Sequence, residues 1–348
     1  MYGESRSVAL LEDGLLYLDG HKTHVQFSYL TRGDDHALAF TEYVPSLYIW
    51  GSNDHLQLGY DNKPIPNYPV QVPHVQTGSY SPLYPNDEHV NREFLEVYCS
   101  KTTSFGLQSS GVIYSWGDNE YGQCGDGGDY KNRALRGIVP NFLDKELECP
   151  DHKNRALRNV IPNLLAKKLA CADHFILALS ITDGQVYVWG HDPQGYFGHP
   201  CERIPTPRLF HMPKLTDLTC GSDHILGIGE NNEVYAWGNN DRGQLGLGDL
   251  ECRKSPTVIT ELKLDRVYCG NNFSIGINLD QKFLVWGDNS SGQLEINSGT
   301  QLLTKPTYLS DLQIHRLKLR YVGSSSENGI LIQEPYIRNH NILRPLGS

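Results

Sequence analysis

No stretch of the sequence approaches the ~18–20 consecutive apolar residues of a membrane-spanning helix, so no membrane segment is expected. The first residues, Met1 to Gly14, carry Glu4, Arg6, Glu12 and Asp13 where a secretory signal would need an apolar core. The closing residues, Arg344 to Ser348, hold no cysteine for prenylation. Dense basic runs are also missing. Acidic residues outnumber basic ones, 40 against 30, for a formal net charge of -10. Phosphate binding needs a local excess of Lys and Arg, so no nucleic-acid partner is expected. None of the eight cysteines form a CxxC pair. With no readable signal, they are expected as free thiols in a reducing compartment, the cytoplasm or the nucleus.

What is present is repetitive. The chain has 348 residues, 39% of them hydrophobic, which is enough to bury a core. All five tryptophans precede a glycine: Trp50-Gly51, Trp116-Gly117, Trp189-Gly190, Trp237-Gly238 and Trp286-Gly287. Each pair closes a short run of β-branched and aromatic residues, such as Val186-Tyr187-Val188 or Val234-Tyr235-Ala236, the composition of a half-buried strand. A polar, Gly-rich turn follows each one. Asn239 to Gly246 gives the clearest form, Asp118 to Gly125 and Asp288 to Glu295 are close copies, and Ser52 to Gly59 and His191 to Gly198 are weaker. Asn, Asp and Gly accept the positive φ of sharp turns.

Upstream marks keep the same register. Cys99, Cys220 and Cys269 lie 17 residues before a Trp, and Arg32 and Cys171 lie 18 before. Asp35-His36, Asp173-His174 and Asp223-His224 follow them. Pro69, Pro140, Pro207, Pro256 and Pro306 come 17–23 residues after the glycine. They are expected just ahead of the next strand, where a missing amide donor costs least. Degenerate units flank the strong ones: Val8 to Gly20, with Asp19 at the Trp position, and Tyr321 to Ile332. Short strands recurring at fixed spacing mean radial repetition or a solenoid. About four strands per unit favour an all-β, single β-propeller over residues 1–348. Seven blades of about four antiparallel strands are expected, closed by N- and C-terminal strands, with six blades as the alternative. Ile342-Leu343 is the candidate closing strand.

The pattern Val-Tyr-x-Trp-Gly-x-Asn-x-x-Gly-Gln-Leu-Gly, after a Cys-Gly-x-x-His segment, resembles the repeat of the regulator of chromosome condensation family. The resemblance runs from about Gly3 to Ile332. It implies a seven-bladed propeller whose founding member is a guanine-nucleotide exchange factor for Ran. Other members serve as adaptors in ubiquitin, ciliary and trafficking assemblies. Two functions follow as alternatives. One is regulation of, or nucleotide exchange on, a small Ras-superfamily GTPase. The other is a non-enzymatic scaffold. A protein partner and a monomeric propeller are expected. Leu56 and Glu295 depart from the repeat, each replacing a turn glycine.

Two insertions interrupt the repeats, at about 60–93 and 126–165. The span from Trp-Gly to the next Cys position is 30 to 31 residues in compact units, but 48 from Gly51 to Cys99 and 54 from Gly117 to Cys171. The first insertion is rich in Pro and Tyr. The second holds a duplication, Lys131 to Arg136 recurring as Lys153 to Arg158 at an offset of 22 residues. Long loops on a rigid scaffold often carry function. Tyr68, Tyr80 and Tyr84 in the first, with Arg133, Arg136, Arg155 and Arg158 in the second, are therefore candidate partner-binding residues. The alternative for the second is a tolerated duplication in a surface loop.

No catalytic constellation is legible, and no metal or cofactor is expected. His36, His174 and His224 recur at what reads as one repeat position, which favours satisfying backbone groups over acid–base chemistry. Cys99, Cys171, Cys220 and Cys269 read as small core residues, and the remaining cysteines lack zinc spacing. Gly125 to Gly128 lacks the Gly-Lys-Ser/Thr of a phosphate loop. Asp35, Asp173, Asp223 and the 118–130 loop are candidates for an electronegative face.

Overall fold

The computed structural model describes residues 8–10, 15–18, 21–33, 35–41, 46–59, 68–76, 94–128, 132–133, 161, 163–198, 202–294, 296 and 299–310. Every regular element among them is a strand, and all ladders are antiparallel. No helix there is long and apolar enough to cross a membrane. The fold is the expected all-β propeller.

Five blades are described, each holding one Trp-Gly pair. Blade one contains β3 (His21–Arg32), β4 (His36–Thr41), β5 (Ser46–Gly51) and β6 (Val70–Gln76). Blade two contains β7 (Phe94–Cys99), β8 (Thr103–Gln108), β9 (Ile113–Asp118) and the short β10 (Asn132–Arg133). Blade three contains β11 (Ala166–Cys171), β12 (Phe175–Ser180), β13 (Val186–Asp192) and β14 (Glu202–Phe210). Blade four contains β15 (Leu215–Cys220), β16 (His224–Gly229), β17 (Glu233–Gly238) and β18 (Arg253–Lys263). Blade five contains β19 (Arg266–Cys269), β20 (Phe273–Ile277), β21 (Phe283–Asp288) and β22 (Leu302–Tyr308). The degenerate N-terminal unit forms a hairpin of β1 (Val8–Leu10) and β2 (Leu15–Leu18) that pairs with the start of β3. β3 therefore serves two units in one continuous strand, which accounts for the missing turn there. The C-terminal unit, with Ile342 and Leu343, lies outside the described residues.

First strands of successive blades touch: β3 with β7, β7 with β11, β11 with β15 and β15 with β19. They line the axis. Three residues before the end of β7, β11, β15 and β19 stand Glu96, Lys168, Asp217 and Arg266, so charge alternates around this ring. Lys168 pairs with Asp217. Burial alone would lower the Lys168 pKa, but Asp217 beside it raises it.

The second strands of the blades are nearly all apolar and buried on both faces, as in Phe175–Ser180 and His224–Gly229, because blades stack against both sides of each sheet. The Trp side chains fill the space between blades, and Trp116, Trp189, Trp237 and Trp286 are almost completely buried. The glycine after each Trp is a steric necessity. At Gly238, φ is +103° and an added Cβ would lie 2.4 Å from the Asp223 carbonyl oxygen. No L side chain fits there.

The prolines are not where spacing placed them. Pro207, Pro256 and Pro306 sit inside the outer strands β14, β18 and β22. The ladder is bulged at each: Val188 and Gly190 face Arg208 and Ile204, so two steps on β13 oppose four on β14. Equivalent shifts occur against Ala236 and Gly238, and against Val285 and Gly287. An outer edge can omit an amide donor at a bulge, and both features discourage pairing with another chain. Pro69 stands immediately before a strand, β6, and Pro140 lies outside the described residues.

Candidate interaction face

The turn after each Trp-Gly lies over the hairpin between the first two strands of its own blade. The amide of Ser52 bonds to the Asp35 carbonyl at 2.8 Å, that of Asp118 to Thr102 at 3.1 Å, and that of His191 to His174 at 2.8 Å. Asn239 to Asp223 at 2.8 Å and Asp288 to Asn272 at 3.0 Å repeat the contact. Hairpins and turns therefore share one end of the propeller.

The turns build themselves from their amide side chains. Asn53, Asn119, Asn240 and Asn289 each accept from the amide five residues on, all at 2.9 Å. Gln57, Gln123, Gln244 and Gln293 accept from the amide two residues back, at 2.8 to 3.0 Å. In blade three, Asp192 replaces Asn and holds the amides of Tyr196 and Phe197, both at 2.8 Å. Tyr196 stands where the other turns have Gln. Leu56, at a turn-glycine position, takes φ 64°.

Gln57, Gln123 and Gln244 also offer their carbonyls to the next blade. Gln57 O accepts from the Trp116 indole, Gln123 O from Trp189 and Gln244 O from Trp286, each at 2.9 Å. Ser104 and Ser274 add hydroxyl donors to Gln57 O and Gln244 O at 2.8 Å. The histidines complete this inter-blade lock. His36 Nε2 lies 2.9 Å from Ser104 Oγ, and His224 Nε2 lies 3.0 Å from Ser274 Oγ. They reach a side chain of the next blade rather than backbone near their own strand start, because the ring projects across the interface.

His174 is not equivalent to them. His36 and His224 pair with Gly51 and Gly238, but Phe175 occupies that register opposite Gly190. His174 falls one residue early and lies partly exposed on the hairpin. Its ring meets His191 edge-on at 6.3 Å, and His191 stacks on Tyr121 at 4.8 Å. Burial, then His174, lowers the His191 pKa.

Asp35, His36 and Ser104 superficially form a nucleophilic triad, with His36 Nδ1 3.7 Å from Asp35 Oδ1. Ser104 is completely buried, and its only hydrogen goes to Gln57 O. It has neither access nor a base for its proton. Among the described residues no group of three or more His, Cys, Asp or Glu is placed to hold a metal ion. Cys99 and Cys124 are buried, Cys171, Cys220 and Cys269 are partly buried, Cys252 is exposed, and none of the six is in a disulfide. Burial raises the thiol pKa of Cys171 and Cys220, and that of Cys269 to about 12, so they stay protonated and unreactive.

What the turn end offers to solvent is carboxylate. Asp35, Asp173 and Asp223 lie on hairpins, with Asp54, Glu120, Asp126, Asp241 and Glu251 on turns. Fewer cations share this end: Lys101, Arg203, Arg242, Arg253 and Lys254. Burial, with Asp241 nearby, raises the Asp223 pKa against the pull of His174 and Lys101. Burial likewise raises that of Asp126. The two candidate loops barely enter the description. Tyr68 is 61% exposed, just ahead of β6. Arg133 lies in β10, where its backbone pairs with Gly117. Tyr80, Tyr84, Arg136, Arg155 and Arg158 lie outside the described residues.

Residues 110–145 and 231–277 match the regulator of chromosome condensation (RCC1) repeat, and a second form of that repeat matches 215–244 and 265–293. The chain carries regulator of chromosome condensation repeats. Curated relatives agree. The human E3 ubiquitin-protein ligase HERC2 is 25% identical over 66% of this chain and 4% of the ligase. The Arabidopsis thaliana ultraviolet-B receptor UVR8 is 25% identical over 69% of this chain and 48% of the receptor. The matched stretch thus spans half or less of each. Two solved structures share the propeller. Human WBSCR16 superposes with a TM-score of 0.59 at 18% identity, covering 82% of this chain and 67% of that one. Prp20p of Saccharomyces cerevisiae gives 0.53 at 19% identity, covering 90% and 69%. As a repeat-family propeller, the molecule spends its recurring polar residues on holding blades together.

Proposed function

We propose that this repeat propeller is a protein-interaction platform that docks a partner on its acidic turn end. One observation carries the reading. The buried histidines His36 and His224, the recurring Asn and Gln, and the indoles of Trp116, Trp189 and Trp286 are engaged within and between blades, whereas the carboxylates of Asp54, Glu120, Asp241 and Glu251 at the turn end are exposed. A rigid scaffold with exposed charged loops is suited to recognition rather than to covalent chemistry. The partner is a protein with a basic surface, met in the cytoplasm or nucleus. A finer form, rested on the repeat family, is nucleotide exchange on a small Ras-superfamily GTPase. In that case the platform would favour the nucleotide-free state of its partner.

The test is partner capture on the purified chain, in EDTA and again in Mg²⁺ with GTP, beside an Asp223→Lys/Asp241→Lys chain. Partners held equally in both conditions, and lost on charge reversal, support the platform. A GTPase held only in EDTA supports exchange. Capture indifferent to charge reversal overturns the acidic end as the docking surface.

A further inference from the structure

The seams between blades are of two kinds. Blades one and two, and blades four and five, are joined by the His–Ser–carbonyl lock. At the other two seams Thr103 and Phe175 take the His register, while Ile176 and Ile225 take the Ser register. Those seams have apolar rings in place of the His–Ser pair, with Trp189 still bonded to Gln123 O across one and Lys168 paired with Asp217 across the other. Phe105 meets Trp189 at 6.3 Å, and Phe175, Phe197, Phe210 and Trp237 form a chain of ring contacts. One continuous apolar cluster runs through blades two, three and four.

The two polar seams share a tautomer. Each serine gives its only hydrogen to a Gln carbonyl, so each histidine must donate from Nε2. They differ at Nδ1. His36 Nδ1 faces Asp35 of its own hairpin, with Cys99 of blade two alongside. Both Nδ1 atoms are buried with no hydrogen-bond partner, but that of His36 lies 3.7 Å from Asp35 Oδ1, and among the described residues His224 has no such carboxylate. Packed on His224 are Gly221 of its own hairpin, and Ser274 and the Asn271 backbone of blade five. Cys269 of blade five stands beside Ser274 as a neutral thiol. The Asp223 carboxylate is engaged instead with His174, Asp241 and Lys101.

We propose that the propeller has an apolar block of blades two to four between two seams poised oppositely by pH: acid frees blade five, and alkali loosens blade one. Protonating His224 places a charge in a buried seam where only the Asn271 backbone, and no carboxylate, stands to offset it. Deprotonating His36 turns a lone pair toward the Asp35 carboxylate. The direction of each titration agrees. Burial pushes the His224 pKa down to about 3, so its contribution is present above ~6.5 and lost as pH falls toward 3. Burial opposes a charge on His36, but Cys99 and Asp35 hold its pKa up at about 9. Its contribution is present below ~6.5 and lost as pH rises through 9.

Hydrogen exchange resolved by segment tests this on the whole chain, with rates corrected for the intrinsic effect of pH. Between about pH 7 and about pH 4.5, protection in β19–β21 should fall about a hundredfold while β11–β13 holds. Near pH 9.5 the loss should move to β3–β5. A His224→Phe/Ser274→Ile chain carries the residues of the apolar seam and should lose the acid effect. Uniform loss across all blades, or an unchanged acid effect in the double variant, overturns the proposal. If that variant does not fold, the segment profile of the unaltered chain decides alone.

Discussion

The residues that matter most for this fold are small acceptors rather than large side chains. A single carbonyl, that of Gln57 or Gln244, receives both an indole and a hydroxyl from the following blade. The tryptophans are therefore not equal. Trp189→Phe strands the buried Gln123 carbonyl and should cost about 1–3 kcal/mol beyond the lost packing. Trp237→Phe removes an indole N–H that has no partner, so its cost should be smaller. Chemical denaturation of the two variants, compared by midpoint at equal slope, checks the order. Gly238→Ala forces a side chain onto the Asp223 carbonyl and should cost about 2–4 kcal/mol, read as a drop in melting temperature.

At the scale of elements, the inner strands carry a testable pair. Lys168→Met leaves Asp217 beside the axis without its cation, whereas Lys168→Met/Asp217→Leu removes both charges. The single variant should melt lower than the double, since breaking a pair costs more than replacing it. A thermal double-mutant cycle measures the coupling. This scale also shows what the sequence could convey. Trp-Gly at fixed spacing announced strands, turns and blades, because sterics at one ladder position demand that dipeptide. The prolines misled, since an outer-strand bulge and a strand approach have the same spacing. Asp173-His174 misled for a related reason: His174 follows Cys171 by three residues where His224 follows Cys220 by four, so Phe175 takes the register without a change in the local motif. The partnership of His36 with Ser104 joins residues 68 apart and has no local signature. The acidic end was partly legible from Asp35, Asp173 and Asp223, but its extent depends on which loops share an end.

For the whole molecule, charge and topology act together. The net charge of -10 includes the carboxylates that stand where hairpins and turns meet. Association with a basic partner should therefore slow about tenfold or more between ~50 and ~500 mM salt, measured by stopped-flow, while dissociation changes little. The inter-blade lock also has a direction. In every bond to a Gln carbonyl the acceptor belongs to the earlier blade and the donor to the later one. A chain leaving the ribosome always presents a finished turn before the tryptophan that will bond to it has been made. Each new unit can thus be accepted by its predecessor on arrival, and the ring can grow in the order of translation instead of waiting for its last residue.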